Sequence, residues 1–173
     1  MPAKSILTRK VDLVYLIFFM VHLVVMFNVD LYPLYPEWLR PKYMTDLRHW
    51  YVATYADQFF VSPPAWFNTY IWLEFLYHVP LCVWSIPALL KADPRVPVQL
   101  LVYSVFTGVT TLTCIADFFA WTTVASQTKT QLAGLYVPYL AVSVFMGLDM
   151  VARLNAKLAG STPPPTVGTK KTR

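Results

Sequence analysis

Four apolar runs, each long enough to cross a bilayer, constrain the fold of this 173-residue chain more than anything else in it. A membrane helix needs about 20 mainly apolar residues. The runs at 13–29, 65–90, 96–116 and 132–148 qualify. Asp117 is expected to close the third. The fourth is expected to continue helically to residue 154, because Asp149 and Arg153 stand there as a favourable i,i+4 pair. The fold expected is therefore an all-α integral membrane protein, a bundle of four transmembrane helices.

Composition agrees. The chain is 57% hydrophobic and 13% charged, against about 25% charged in a soluble domain. Aromatics make up 16%, which suits a chain meeting two membrane interfaces. The net charge of +5 flanks the apolar runs, so it speaks for topology and not for nucleic acid. No phosphate-binding glycine loop and no zinc spacing is present. Cys82 and Cys114 fall inside spans and read as inert core thiols. Three scattered histidines make no metal motif, and no cofactor is expected.

Charge sets the orientation. Ten basic residues lie on the side of the termini and the second loop, and four (Arg40, Lys42, Arg48, Lys129) on the other. By the positive-inside rule both termini face the cytosol and the first and third loops face the lumen. No small-residue cleavage site follows the first run, so it reads as a retained anchor. Residues 1–158 are expected to form the membrane domain and 159–173 a disordered cytosolic tail containing Pro163-Pro164-Pro165. Lys170 and Lys171, third and fourth from the end, fit an endoplasmic-reticulum retrieval signal, or else a generic basic tail.

The first loop, 31–64, is too long for a turn and rich in aromatics. Long loops are usually functional or disordered, and this composition favours a folded cap with a helix near 44–55, an interfacial aromatic belt, or both. Asp57 within it is expected to cap a helix or turn.

The charged and polar residues inside the spans carry the functional argument. Glu74 is the one side chain in 65–90 that is fully charged at neutral pH. A carboxylate at bilayer depth costs about 2.5–3.5 kcal/mol on insertion scales, which makes it a functional-site candidate. Tyr70, Glu74, His78 and Cys82 repeat at i+4 and share a face. His22, Met26 and Asp30 do so on the first run; Tyr103, Thr107, Thr110, Thr111 and Cys114 supply polarity on the third. A polar-lined core follows, where bundles commonly hold ligands. Pro80, Pro87 and Pro138 are expected to break their helical ladders and open space. Two nearby carboxyls cannot both ionise cheaply. Asp30 and Glu74 would then share one proton and present a single negative charge to a cationic amine, with cation–π support from aromatics. The alternative is a satisfied polar network that only fixes packing. His78 either forms an acid/base pair with Glu74 or hydrogen-bonds it, and the second is favoured. His22 reads as an interhelical hydrogen bonder.

Asp30-Leu31, Trp50-Tyr51, Pro63-Pro64-Ala65-Trp66-Phe67, Glu74 with Pro80, Tyr103-Ser104-Val105 and Tyr136-Val137-Pro138-Tyr139 together resemble the sigma-2 receptor (transmembrane protein 97) family of the EXPERA superfamily. The resemblance is collinear over 11–154, and fungal members look closest in character. It implies a four-helix endoplasmic-reticulum protein with a sterol- and amine-binding cavity. On it Asp30 matches the acid that pairs with ligand amines and Glu74 its acidic partner. Asp57 matches a loop Asp with a folding role, Thr110 and Tyr139 match cavity positions, and Trp50 and Tyr51 match a lid. His78 departs from the family's usual Gln, and spacing near Gly108 differs.

The resemblance also implies a role in sterol homeostasis, with a sterol or cationic amphiphile and the bilayer as partners. A Niemann-Pick C1-like sterol transporter and a second copy of the chain are further partners to expect. Fungal relatives are linked to the fate of unimported mitochondrial precursors. The alternative from the same superfamily is a sterol Δ8–Δ7 isomerase, with Glu74, His78 and Trp72 or Trp84 as acid/base and cation-stabilising groups; that branch has five spans and this chain four. A structural quality-control adaptor is a third reading.

Overall fold

The computed structural model describes the backbone of residues 5–161 and side chains through 160. The helices are α1 (Lys10–Val25), α2 (Lys42–Tyr55), α3 (Gln58–Val61), α4 (Ala65–Leu73), α5 (Val79–Leu90), α6 (Val96–Ala120) and α7 (Ser126–Ser161). Four continuous helical spans are long and apolar enough to cross a membrane: Lys10–Asp30, Ala65–Leu90, Val96–Ala120 and Ser126–Gly160. Lys170 and Lys171 and nearly all of the expected tail lie outside the described residues.

The spans are apolar towards the outside and mixed inside. Val14, Ile17, Val21 and Val24 of α1, and Val98, Val102, Val105 and Val109 of α6, are all exposed, at the 3–4-residue spacing of one helix face. Tyr15, Phe19, Leu89, Leu100, Met146 and Met150 are buried among them. α1 packs along α5, and α6 along α7.

Close approach of α6 and α7 depends on small residues. A Cβ on Gly108 would lie 3.3 Å from Ser143 Oγ, and one on Gly147 would lie 3.0 Å from Ser104 Oγ. Each helix thus presents Ser-x-x-x-Gly, and the serine of one sits on the glycine of the other. The serines turn their hydroxyls onto carbonyls three residues back in their own helices, Leu101 at 2.7 Å and Leu140 at 2.8 Å, so neither serine hydroxyl is left unmet at the seam. This is the small-residue mode of packing used where apolar burial gives no drive between helices.

Two spans contain a wide π-turn, Met26–Asp30 at the end of the first and Glu74–His78 within the second. In the first, the Leu31 amide reaches back five residues to the Met26 carbonyl at 2.9 Å. In the second, the Val79 amide returns to the Glu74 carbonyl, just ahead of Pro80, whose missing N–H cannot close an ordinary turn. The expected break at Pro80 therefore takes the form of a widened turn. Pro87 and Pro138 correct the expectation: α5 and α7 run past them without interruption, because a single lost amide is tolerated inside a packed helix. Asp117 likewise does not end the third span. α6 continues to Ala120, and Asp117 instead accepts from Trp121 Nε1 at 2.9 Å.

At the end bearing the termini, Asp12 is buried between two guanidinium groups. It accepts from Arg9 and, at 2.6 Å, from Arg153. Arg153 also pairs with Asp149 at 2.8 Å, the i,i+4 pair expected, and Tyr15 donates to Asp149 at 2.9 Å. Arg9 reaches the Leu89 carbonyl at 2.6 Å. α1, α5 and α7 are thereby tied by charge-assisted hydrogen bonds, which are about twice as strong as neutral ones.

Gly147→Val is expected to lower the stability of the detergent-solubilised protein by about 1–3 kcal/mol through overpacking, read as a lower Tm. Gly134→Ala, where nothing lies within 4 Å of an added Cβ, is expected to leave Tm unchanged or raise it.

Candidate functional site

A cavity of about 360 Å³ lies between the spans beneath the first loop. That volume falls in the range of small-molecule sites, about 300–1,000 Å³. α2 covers it with Arg48, Trp50 and Tyr51, and the membrane helices wall it. Asp30, Glu74, His78, Thr110, Tyr139, Trp50 and Tyr51 all line this one space. So do His22, Arg48 and Tyr136.

Each π-turn carries one carboxyl group. Asp30 ends the first turn and Glu74 begins the second. The two are near enough to influence each other electrostatically. Among the described residues, no N–H or hydroxyl donates to either carboxyl group and no cation pairs with it. Arg48, on the cavity's lid, points elsewhere. It donates to the Phe60 carbonyl at 2.6 Å and lies over the rings of Tyr32 and Phe60 at 5.0 and 5.1 Å. Burial lowers its pKa below the usual arginine value.

The lid is held by Asp57, which is fully buried. It caps α3 by accepting from the Phe59 amide at 2.9 Å. Its other oxygen accepts from Tyr51 Oη on α2 at 2.9 Å and from Tyr136 Oη on α7 at 3.0 Å. Burial still raises the Asp57 pKa, against the pull of these hydrogen bonds. One side chain therefore joins the lid, the loop and a membrane helix, and the two tyrosines it holds form part of the cavity wall. Trp50 is mostly exposed and meets Tyr55 edge-on at 6.1 Å. Thr110 donates to the Phe106 and Thr107 carbonyls, which leaves its oxygen lone pairs to the cavity side.

The histidines differ from expectation. His78 does not hydrogen-bond Glu74, and neither of its ring nitrogens has a partner. Its ring packs on Tyr103 at 4.9 Å and faces His22 across the helices at 6.5 Å. His22 is no interhelical hydrogen bonder either. It stacks on Phe18 at 5.4 Å with both nitrogens unpartnered. Aromatic packing from neighbouring helices overrides the one-turn hydrogen bond. Each buried polar group left unmet costs about 1–3 kcal/mol. Cys82 and Cys114 are free and buried. Among the described residues no group of three or more His, Cys, Asp or Glu is placed to hold a metal ion.

Arg48 and Tyr136 were not singled out by sequence as functional. Tyr136 stands in the motif Tyr136-Val137-Pro138-Tyr139, but its role comes from Asp57, 79 residues away, which no local pattern shows. Arg48 stands beside the aromatic run Trp50-Tyr51, and that adjacency is the one available cue.

The family model described as EXPERA (EXPanded EBP superfamily) matches residues 43–150. The chain is 32% identical over 165 residues to efficient mitochondria targeting-associated protein 19 of Schizosaccharomyces pombe, covering 92% of this chain and 86% of that one. It is 25% identical over 156 residues to sigma intracellular receptor 2 of Xenopus tropicalis, covering 85% and 91%. To the protein of the same name from Homo sapiens it is 26% identical over 147 residues, covering 78% and 84%.

Asp57→Ala removes the acceptor of three hydrogen bonds at a fully buried position. It is expected to destabilise by about 3 kcal/mol or more, visible as a large fall in Tm or failure to purify folded. Tyr136→Phe, which removes one donor, is expected to lower stability by about 1 kcal/mol.

Proposed function

The chain belongs to the EXPERA family and to its sigma-2 receptor branch, and on that premise we propose that it is a receptor for a sterol or cationic amphiphile in the endoplasmic-reticulum membrane. The observation that carries the reading is the pair Asp30 and Glu74, two carboxyl groups on the wall of a mainly apolar cavity with no protein donor or cation beside them. A structural polar network would satisfy its own carboxylates. A site built for a cation leaves them to the ligand, and a desolvated charge pair with hydrogen bonding is among the stronger single contacts a site can make. One proton held between the two acids leaves one negative charge for one ammonium group. Tyr139 and Tyr51 add aromatic faces suited to cations, and the apolar wall takes the rest of the amphiphile.

Both termini are cytosolic in this proposal, with α2 as a luminal lid, following the basic residues. Lys170 and Lys171 act as the retrieval signal. The protein serves sterol homeostasis and the handling of proteins at that membrane; the name of the fission-yeast relative supports a link to mitochondrial targeting. A Niemann-Pick C1-like transporter and a second copy of the chain are its proposed partners. We assign it no catalysis, since the relatives named as receptors align across nearly the full span of the bundle.

Binding of a radiolabelled lipophilic amine to purified protein tests the site. Asp30→Asn and Glu74→Gln are each expected to weaken it at least about tenfold, the loss of one charge-assisted hydrogen bond. Unchanged affinity in both contradicts the proposal. Expression in yeast lacking sterol Δ8–Δ7 isomerase is expected not to restore isomerised sterols; restoration overturns the non-catalytic assignment.

A further inference from the structure

Arg40 and Arg48 share one aromatic ring and no acid. Their guanidinium carbons lie 4.8 and 5.0 Å from the centre of Tyr32, and both side chains are half-buried. Arg48 donates once, to the Phe60 carbonyl. Arg40 donates to no acceptor among the described residues. Arg40 Nε and Arg48 Nη1 are buried without a partner. A guanidinium carries five N–H donors in a fixed fork, and an aromatic face attracts its charge but offers those donors no lone pair. Elsewhere the chain joins two arginines differently: Arg9 and Arg153 meet across Asp12, which accepts from both. Beside Arg40 and Arg48 the described residues place no such acid. Asp46 is taken by Lys42 at 2.6 Å. Glu37, three residues before Arg40, pairs with neither arginine. Asp57 attracts Arg48, but its oxygens already accept from Phe59, Tyr51 and Tyr136. The two guanidinium groups therefore repel each other, and no carboxylate among the described residues bridges them.

Their position says which anion is at hand. Arg40 leads into α2, and Tyr43 in the first turn of α2 donates to Asn28 near the end of the first span at 2.8 Å. The hydroxyl of Tyr32 meets Thr45 of α2 at 3.2 Å. The two arginines are thus held at the depth where a span leaves the hydrocarbon. Trp38 is 84% exposed there, and Leu39 and Tyr43 are exposed too. Bared aromatic and apolar side chains beside basic ones mark a membrane–water interface. The anion concentrated at that depth is lipid phosphate, and a forked set of donors suits its oxygens.

We infer that Arg40 and Arg48 form a binding site for the phosphate group of a membrane phospholipid, in the leaflet that the first loop faces. The phosphate lies between the two guanidinium groups and supplies the negative charge that Asp12 supplies to Arg9 and Arg153. Trp38 and Leu39 rest on the lipid beside it. The site is separate from the cavity, whose wall does not include Arg40. It stands whether or not Asp30 and Glu74 bind an amine.

The probes are dioleoylphosphatidylglycerol, dioleoylglycerol, oleate and inorganic phosphate. Each is titrated into the purified, delipidated full-length chain in a neutral maltoside detergent, with affinity read by thermophoresis and bound lipid by native mass spectrometry. The wild-type chain is expected to hold phosphatidylglycerol at least about tenfold more tightly than any of the other three. Arg40→Gln removes a side chain whose contact is the Tyr32 ring. It is expected to bring phosphatidylglycerol within about twofold of oleate. Equal wild-type affinity for oleate or for dioleoylglycerol overturns the phosphate, and equal affinity for inorganic phosphate overturns the lipid. A full preference surviving in Arg40→Gln overturns the assignment to these residues. If Arg40→Gln does not fold, Arg40→Lys decides, because lysine keeps the charge without the fork. Phosphatidylglycerol binding at least about threefold weaker supports the site, and unchanged binding overturns it.

Discussion

Two carboxyl groups on the cavity wall, Asp30 and Glu74, accept no hydrogen bond and pair with no cation among the described residues, and that is the constraint on which the reading of this bundle depends. Placing Asp30 and Glu74 in an apolar, membrane-spanning structure is unfavourable, and no neighbouring arginine, lysine, amide or hydroxyl among the described residues offsets it. At the end bearing the termini the same chain shows how it satisfies an acid when it needs to, with Asp12 gripped by Arg9 and Arg153. The contrast separates an acid the fold pairs from acids it leaves unpaired.

The rest of the architecture frames the cavity that those two groups line. The reciprocal serine–glycine contacts bring α6 and α7 close. The two π-turns place each carboxyl where a helix locally widens, a feature frequent at functional sites. Asp57 fixes the lid by joining α2, α3 and α7 through three hydrogen bonds. The loop acid and the two span acids thus differ in their physics, Asp57 fully paired and Asp30 and Glu74 without a donor or cation among the described residues.

Much of this was legible in the sequence because membrane helices announce themselves by length and hydropathy. The bounds Ala65–Leu90 and the loop helix ending at Tyr55 follow directly from apolar runs and from turn residues. Glu74 and Asp30 stood out because a carboxylate in an apolar run is rare for energetic reasons. What depended on tertiary packing was not legible. The i+4 spacing of Glu74 and His78 suggested a hydrogen bond, yet Tyr103 and His22 on other helices set the ring. Pro138 carries the same breaking signal as Pro80 but leaves α7 intact. Asp117 looked like a helix end because charge usually marks one, and Trp121 one turn later absorbed it. Ser104, Gly108, Ser143 and Gly147 were visible as residues, but their pairing exists only once two helices meet.

The most direct measurement is an experimentally determined structure of the protein with a bound lipophilic amine. The nitrogen is expected within about 4 Å of a carboxylate oxygen of Asp30 or Glu74, the distance of an ion pair, with the apolar body filling the cavity beneath α2. An amine seated elsewhere, or lying in this cavity with its nitrogen turned away from both acids, contradicts the account.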